Sequence, residues 1–544
     1  MSDELQFQVP EDHKEFAVLS PVGGERNDIE SIFLDDRESP EIDGMHFDKG
    51  AVVQDLGSTE YGSAVTSGDC LTFVNTASRS GANSYTILFS STGIHAFGST
   101  TWSVDLTPAA GYTSSLTNLP NAIEFIDRLI ITNGNDKIMS WDYNTTHAAT
   151  ALSVVAATTN ITKAKFVWPY DNYLFALNTT EGTGTPAAAP QRVRYPEPGS
   201  YDDWDGANSG YFDVVKGGRG DITGVNQLGD YCVIFKRGGI HLVKRGTSAW
   251  DHYVASSVIG TASPRTILNI DGRALWFLGQ HSRTGELNIF SYSMPHQDAA
   301  PSSGHEPVPI GNAIQRDLAS RINVDALWNA HAAWIPVFNE YRLWVPTGGT
   351  SPDYLYIGQY DGKTIKWSHN TSNAVNCAAA RWVRAGETWT TIAATWAGAA
   401  DTWAGSGEGE VAPVPLVGCD DGQVYRLSPY ELSFKGGAIN AIYETKDFLR
   451  TEGDTVYHAV EYEAKGDAVS VYYSTDEGLT WTQAYNESGS QAEETLSSSW
   501  AKYRASFGAG GITSERLRLR WRNNTAGESF ALRWYNVQFQ PMRD

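Results

Sequence analysis

Cysteine is scarce in this chain, 4 in 544 residues. Cys70, Cys232, Cys377 and Cys419 lie far apart, and no pair has zinc-knuckle or redox spacing. The simplest reading is four free, buried thiols in a protein assembled in the cytoplasm. The 12 histidines are scattered, with no H-E-x-x-H and no pair at metal-ligand spacing. No apolar run is long enough to span a bilayer. Met1 to Pro10 has no basic stretch followed by an apolar core, so no secretion signal is expected, and sequons such as Asn144-Thr145-Thr146 are chance matches. Positive charge is also short: 40 Lys and Arg stand against 63 Asp and Glu, for a net charge of −23. Such a surface repels phosphate, which argues against sequence-specific DNA binding by a basic face. It fits a surface that DNA slides past, or solubility alone. No nucleophile elbow and no phosphate-binding P-loop appears.

What is present points to strands. Hydrophobic residues make up 41% and charged residues 19%, enough to bury a sizeable core. The 18 Trp, 26 Tyr and 52 Gly favour strands and tight turns, so the fold class reads as all-β. The length implies two or three domains unless one is a large repeat architecture.

Residues 1–45 are acidic and poor in aromatics (Asp3, Glu4, Glu11, Asp12, Asp28, Glu30, Asp35, Asp36) and read as an extended N-terminal arm. From there to about residue 440 a hairpin unit recurs. Tyr85–Phe89, Leu129–Ile131, Tyr173–Leu177, Tyr231–Phe235, Leu275–Leu278 and Arg342–Val345 are each followed by turn residues and a second strand. Asn133-Gly134 is the strongest hairpin signal, because both residues tolerate positive φ. Strand starts near 85, 129, 173, 231, 274 and 342 give steps of roughly 44, 44, 58, 43 and 68 residues. A four-stranded propeller blade needs about 40 to 50. The runs are continuously apolar, as in sheets covered on both faces. Residues 46–440 therefore read as a multi-bladed β-propeller with six or seven blades, and serial β-sandwiches are the alternative. Residues 441–544 alternate more cleanly, as in Leu517–Arg522, and read as a β-sandwich-like C-terminal domain.

Ser474-Thr475-Asp476-Glu477-Gly478-Leu479-Thr480-Trp481 matches the Asp-box pattern, which specifies a hairpin turn rather than a catalytic site. A sialidase would carry several copies together with an arginine cluster and a Tyr/Glu nucleophile pair. The acidic pairs Asp35-Asp36, Asp202-Asp203 and Asp420-Asp421 read as solvated turns, and Arg219-Gly220-Asp221 as an inter-strand loop. No catalytic, cofactor-binding or metal-ligating set emerges, and no enzyme is expected.

Four segments together resemble podophage tail-hub and nozzle-type virion proteins. They are Ser39-Pro40-Glu41-Ile42-Asp43-Gly44-Met45-His46-Phe47-Asp48-Lys49-Gly50-Ala51, the stretch Arg192 to Trp204, Leu228 to Phe235, and the tandem Thr395-Trp396-Ala397-Gly398 and Thr402-Trp403-Ala404-Gly405. Gly44 stands where Asn is usual, and Gln54-Asp55-Leu56-Gly57 replaces an arginine-rich turn. The resemblance implies a ring-forming structural subunit of the tail, about a hexamer, below the portal and adaptor. Its expected neighbours are other tail proteins and tail fibres or spikes, with genomic DNA passing the lumen without specific binding. The site of action is then the virion tail, assembled in the host cytoplasm. Loops Thr179 to Gln191 and Pro295 to Pro309 are candidates to narrow such a channel. The alternative is a glycan-binding or sialidase-like glycan-cleaving protein for host recognition, which aromatic richness also suits.

Overall fold

The computed structural model describes residues 14–542, apart from 64, 66–67, 79–83, 99–100, 110, 152–160, 183–184, 248, 295–305, 382–412 and 450–453. The apolar runs picked out by sequence are the second strands of successive antiparallel sheets. Ser84–Ser90, Arg128–Thr132, Tyr173–Glu181, Tyr231–Lys236, Ala274–His281 and Glu340–Val345 each pair with a strand before and a strand after. Tight turns join several first strands to their second strands. Ile126-Asp127, Asp171-Asn172 and Asp271-Gly272 all have positive φ at both positions, the backbone that matches strand twist in a two-residue hairpin.

Seven first strands surround one axis: Cys70–Ala77, Asn121–Phe125, Ile161–Tyr170, Ile222–Leu228, Leu268–Ile270, His331–Ile335 and Cys377–Arg381. Each lies beside the next, and the seventh lies beside the first, so the ring closes. Six blades are sheets in their own right; the sixth in chain order runs on into a larger sheet described below. The seventh blade is completed from the far end of the chain. Gly57–Glu60 is its outermost strand, with Gly57 opposite Ser428 and Glu60 opposite Tyr425.

Alternation along each second strand sends its side chains into two different blade interfaces. Leu129 and Ile131 pack with Ile87, Phe89 and Trp141 toward the first blade, whereas Ile130 packs with Val167, Leu174 and Trp204 toward the third. The same holds around the ring to the last interface, where Cys70 and Leu88 meet Cys377, Leu416 and Val424. No blade hides both faces alone, so the wheel is cooperative.

Two further sheets face each other around Tyr443, Tyr457, Tyr462, Trp521 and Tyr535, all buried. One contains Thr455–Gly466, Phe530–Pro541 and Ala501–Ser506; the other contains Ala441–Glu444, Arg516–Asn523 and Ala468–Ser474. Arg516–Asn523 buries every second residue, so its arginines face outward. The N-terminal segment supplies the remaining strands of this sandwich. Lys14–Leu19 pairs with Phe530–Pro541, Ala51–Gln54 pairs with the same strand and with Met45–Asp48, and Ile42–Asp43 lies between Ala441–Glu444 and blade six. Of the stretch read as an acidic arm, Lys14–Leu19, Gly24–Glu25, Glu38–Ser39 and Ile42–Asp43 are thus built into sheets, and residues 1–13 lie outside the described residues. The partners of Lys14–Leu19 and Ile42–Asp43 lie far along the chain, so no local pattern displays that pairing.

The Asn133-Gly134 turn also differs from its sequence reading. Only Gly134 takes positive φ, at 75°. The loop runs from Thr132 to Met139, and the Asn133 carboxamide oxygen accepts the Asn135 and Asp136 N–H groups at 2.9 and 2.7 Å. The segment Thr179 to Gln191 is the far end of a long hairpin rather than an inserted loop, with Glu181 opposite Ala187.

Candidate functional site

The first strand of blade five is broken in two, Ile259–Gly260 and Leu268–Ile270, by Ser263-Pro264. Proline has no N–H to give to a ladder, and the chain makes one 3₁₀ turn at Pro264–Thr266. Hydroxyls hold the break: Thr261 Oγ1 donates to the Leu278 carbonyl at 2.6 Å and Ser263 Oγ to the Leu327 carbonyl at 2.5 Å. The turn carries Arg265 across the middle of the ring. Its Nη1 donates to the carbonyls of Leu71 (2.7 Å) and Asn376 (3.0 Å), and its Nη2 to that of Asn329 (2.6 Å). These acceptors stand at the starts of blades one, seven and six, so one side chain links four blades.

Beside Arg265 lies a cavity of about 230 Å³ walled by the first strands of blades one to five, including Thr72, Phe73, Asn121, Phe166, Trp168 and Asn226. Arg265 sits deep in the ring yet keeps part of its surface open, and among the described residues it is the one charged residue in the cavity lining. Among the described residues no carboxylate pairs with it. Burial pushes its guanidinium down to about 10. The neighbouring His331, stacked on Trp344 with ring centroids 5.1 Å apart, is held neutral by burial and then by the Arg265 charge.

A second concentration of polar groups lies at the seam between blade six and the N-terminal strands. Arg342, wholly buried, donates Nη2–H to Asp55 Oδ1 at 2.5 Å and Nε–H to Glu340 Oε2 at 2.9 Å. His46 Nδ1 sits 3.3 Å from Glu340 Oε1, and the Asn370 amide donates to Asp55 Oδ2 at 2.7 Å. Burial would raise Glu340, but the charges of Arg342 and His46 overcome it and hold the carboxyl at about 2. Next to this cluster, His369 Nδ1 lies 2.6 Å from Glu25 Oε2, and its Nε2 lies 3.4 Å from Glu41 Oε1. Asp43 accepts from Thr371 N (2.9 Å), Thr371 Oγ1 (2.7 Å) and Asn440 Nδ2 (2.8 Å).

The remaining sequence candidates fall at turns. In the Asp-box, Asp476 Oδ1 accepts from Ser474 Oγ at 2.6 Å and from Thr480 N at 2.9 Å, while Gly478 takes φ +84°. Arg520 stacks on Trp481, 4.0 Å from the ring centroid. Asp202 and Asp203 are held by Ser200, Asp420 and Asp421 face Lys435, and Asp36 faces Lys446. Arg219, Gly220 and Asp221 are exposed on a loop. The four thiols are free and buried, and three of them, Cys70, Cys377 and Cys419, converge where the ring closes. Burial pushes Cys419 up to about 12 and the others higher, so all stay protonated. Among the described residues no group of three or more His, Cys, Asp or Glu is placed to hold a metal, and no helix is long and apolar enough to cross a membrane.

Trp204, at the end of the second resemblance segment, is fully buried between blades two and three. The Thr395–Gly405 repeat lies outside the described residues. Sequence reasoning missed Arg265, His46 and His369 and took Arg342 only as a strand start. A charge inside the apolar run Tyr341-Arg342-Leu343-Trp344 and a proline inside a first strand were the available signals.

No protein-family model matches this chain, and no curated protein matches it. Among solved structures it is similar to YCF48 from Cyanidioschyzon merolae, at 10% identity over 69% of this chain and 99% of that one, with a TM-score of 0.35. It is also similar to the extracellular domain of a hybrid two-component system from B. thetaiotaomicron, at 10% identity over 87% of this chain and 61% of that one, with a TM-score of 0.37. An exo-β-1,3-galactanase from Phanerochaete chrysosporium overlaps 88% of this chain and 100% of its own length, at 10% identity and a TM-score of 0.27. The likeness is loose and confined to the fold.

Proposed function

We propose that this chain is a structural subunit of a tailed-bacteriophage virion, in the nozzle or tail hub. About six copies would form a ring through which DNA is retained and then ejected. The observation that carries the reading is the position of Ser39 to Ala51. This is the stretch that resembles the N-terminal segment of podophage tail-hub and nozzle-type proteins, and it forms the joint between propeller and sandwich. Its Glu41, Asp43 and His46 all enter the seam contacts with blade six or its flank. A chain whose N-terminal strands lock a closed wheel to a second body suits a building block that bears load.

The charge balance fits the same reading. About six copies at −23 each carry near −140, and an acidic lumen lowers the friction of phosphate passing through it. On this reading the portal or adaptor, other tail proteins and fibres or spikes are the neighbours. The virion tail is the location, after assembly in the host cytoplasm. The reading assigns the chain no reaction centre of its own.

Native mass spectrometry and electron microscopy of the purified protein test this directly. A ring of about six copies with an axial hole is expected. A monomer at every concentration, both alone and in phage lysates, would sink it. In the virion, lysine in place of lumen-facing acids should slow ejection, and unchanged kinetics would remove the electrostatic part. A second reading, glycan recognition, is favoured by one observation, the aromatic-walled cavity on the propeller axis.

A further inference from the structure

We propose that the axial cavity binds a small carboxylate, an acidic sugar of the uronic class. This goes beyond the structural reading and does not depend on it.

The charge distribution is the first argument. The chain carries −23 overall, yet among the described residues no acidic one lines this cavity and the single charge there is the guanidinium of Arg265. A charge held that deep with only neutral carbonyls around it lacks a counter-ion. A ligand anion in the cavity supplies one. Arg265 is also fixed in advance. Three of its five N–H donors are engaged by the Leu71, Asn376 and Asn329 carbonyls, which leaves the Nε hydrogen and one on Nη2 to offer and little side-chain freedom to lose on binding.

The rest of the lining narrows the class. One cation matches one negative charge, so a phosphate dianion would need a second cation that the lining does not have. An amino acid would bring an ammonium group beside Arg265 with no carboxylate to receive it. Phe73, Phe166 and Trp168 offer apolar faces for a ring, and Thr72 and Asn121 are polar groups beside them. The volume, about 230 Å³, is below the roughly 300–1,000 Å³ of a drug-sized site and suits a single sugar unit. A carboxylated monosaccharide meets all of these conditions.

Calorimetry or ligand-observed NMR with galacturonate, galactose and acetate on the full-length protein at low salt tests the assignment. Galacturonate should bind, with galactose and acetate each weaker by about tenfold or more. Thr72→Asp places a carboxylate in the cavity that Arg265 lines, next to the Leu71 carbonyl it holds, and should abolish galacturonate binding. It should also leave the fold intact or raise its melting temperature, which separates loss of the site from loss of the structure. Trp168→Ala should weaken the sugars and leave acetate unchanged. No binding of galacturonate, or binding that Thr72→Asp does not alter, overturns the site. Acetate binding as well as galacturonate overturns the sugar.

Discussion

Two arginines lie deep in this molecule, and their surroundings are opposite. Arg342, at the seam, faces Asp55 and Glu340, with His46 and Asn370 completing the set. Arg265, on the propeller axis, faces three carbonyls and a cavity. The seam closes its charges among its own side chains, which makes it a joint. The axial charge is left open toward a cavity, which makes it receptive. The largest effect should come from removing the paired arginine. Arg342→Met takes the guanidinium away from two buried carboxylates, leaving them only His46 and Asn370, and should cost about 3–5 kcal/mol, read from denaturant unfolding. It should also separate the melting of the sandwich from that of the wheel. Arg265→Met leaves carbonyls short of donors but also removes an unpaired charge, so about 2 kcal/mol is expected. If the axial substitution costs as much as the seam substitution, the contrast fails.

Between neutral pH and pH 9 the seam should also respond to pH where the axis does not. Burial alone would lower His369, but Glu25 and Glu41 overcome it and raise the imidazole well above its ordinary value. His46 is raised in the same way by Glu340 and Asp55. Burial lifts Glu25 to about 7. Groups raised in the fold stabilise it fully below their unfolded values, and that stability is lost as pH rises through the folded ones. Glu340, held at about 2, works the other way: its contribution is present above about 4.5 and fades as the pH falls toward 2. The seam's contribution to stability should therefore peak in mildly acid solution and decline toward pH 9. His369→Gln should flatten the alkaline decline in thermal melts, and an unchanged slope would show that the seam histidine does not carry it.

The sequence shows some of this and hides the rest for a physical reason. Second strands such as Tyr231–Lys236 are covered on both faces, so they appear as continuous apolar runs, and their spacing gives the wheel. First strands such as Ile222–Leu228 turn alternate residues toward the axis and look like ordinary loops with a few aliphatics. The ring closure by Gly57–Glu60 has no local mark, because its partner is Val424–Ser428. The same holds for Lys14–Leu19, whose partner is the last long strand. Asp55, Glu340 and Arg342 were three ordinary charges until pairing across the seam brought them together. The Asp-box turn, by contrast, was legible, since the side-chain hydrogen bonds of Ser474 and Asp476 that form it reach no further than Thr480.

That local completeness sets the smallest expected effect. Asp476 is half-buried in a surface turn, and the Ser474 hydroxyl first, then the Thr480 hydroxyl and N–H, hold its carboxyl at about 2. Glu477 and Gly478 both take positive φ to bring those donors round. Asp476→Ala removes the acceptor without touching the apolar core of the sandwich or any blade interface. Amide exchange at Thr480 should quicken, and the turn between Ser474 and Trp481 should become a protease target, while the global unfolding transition stays where it was. A shift of that transition comparable to the Arg265 substitution would mean that a surface turn, rather than the buried seam, governs how the sandwich holds together.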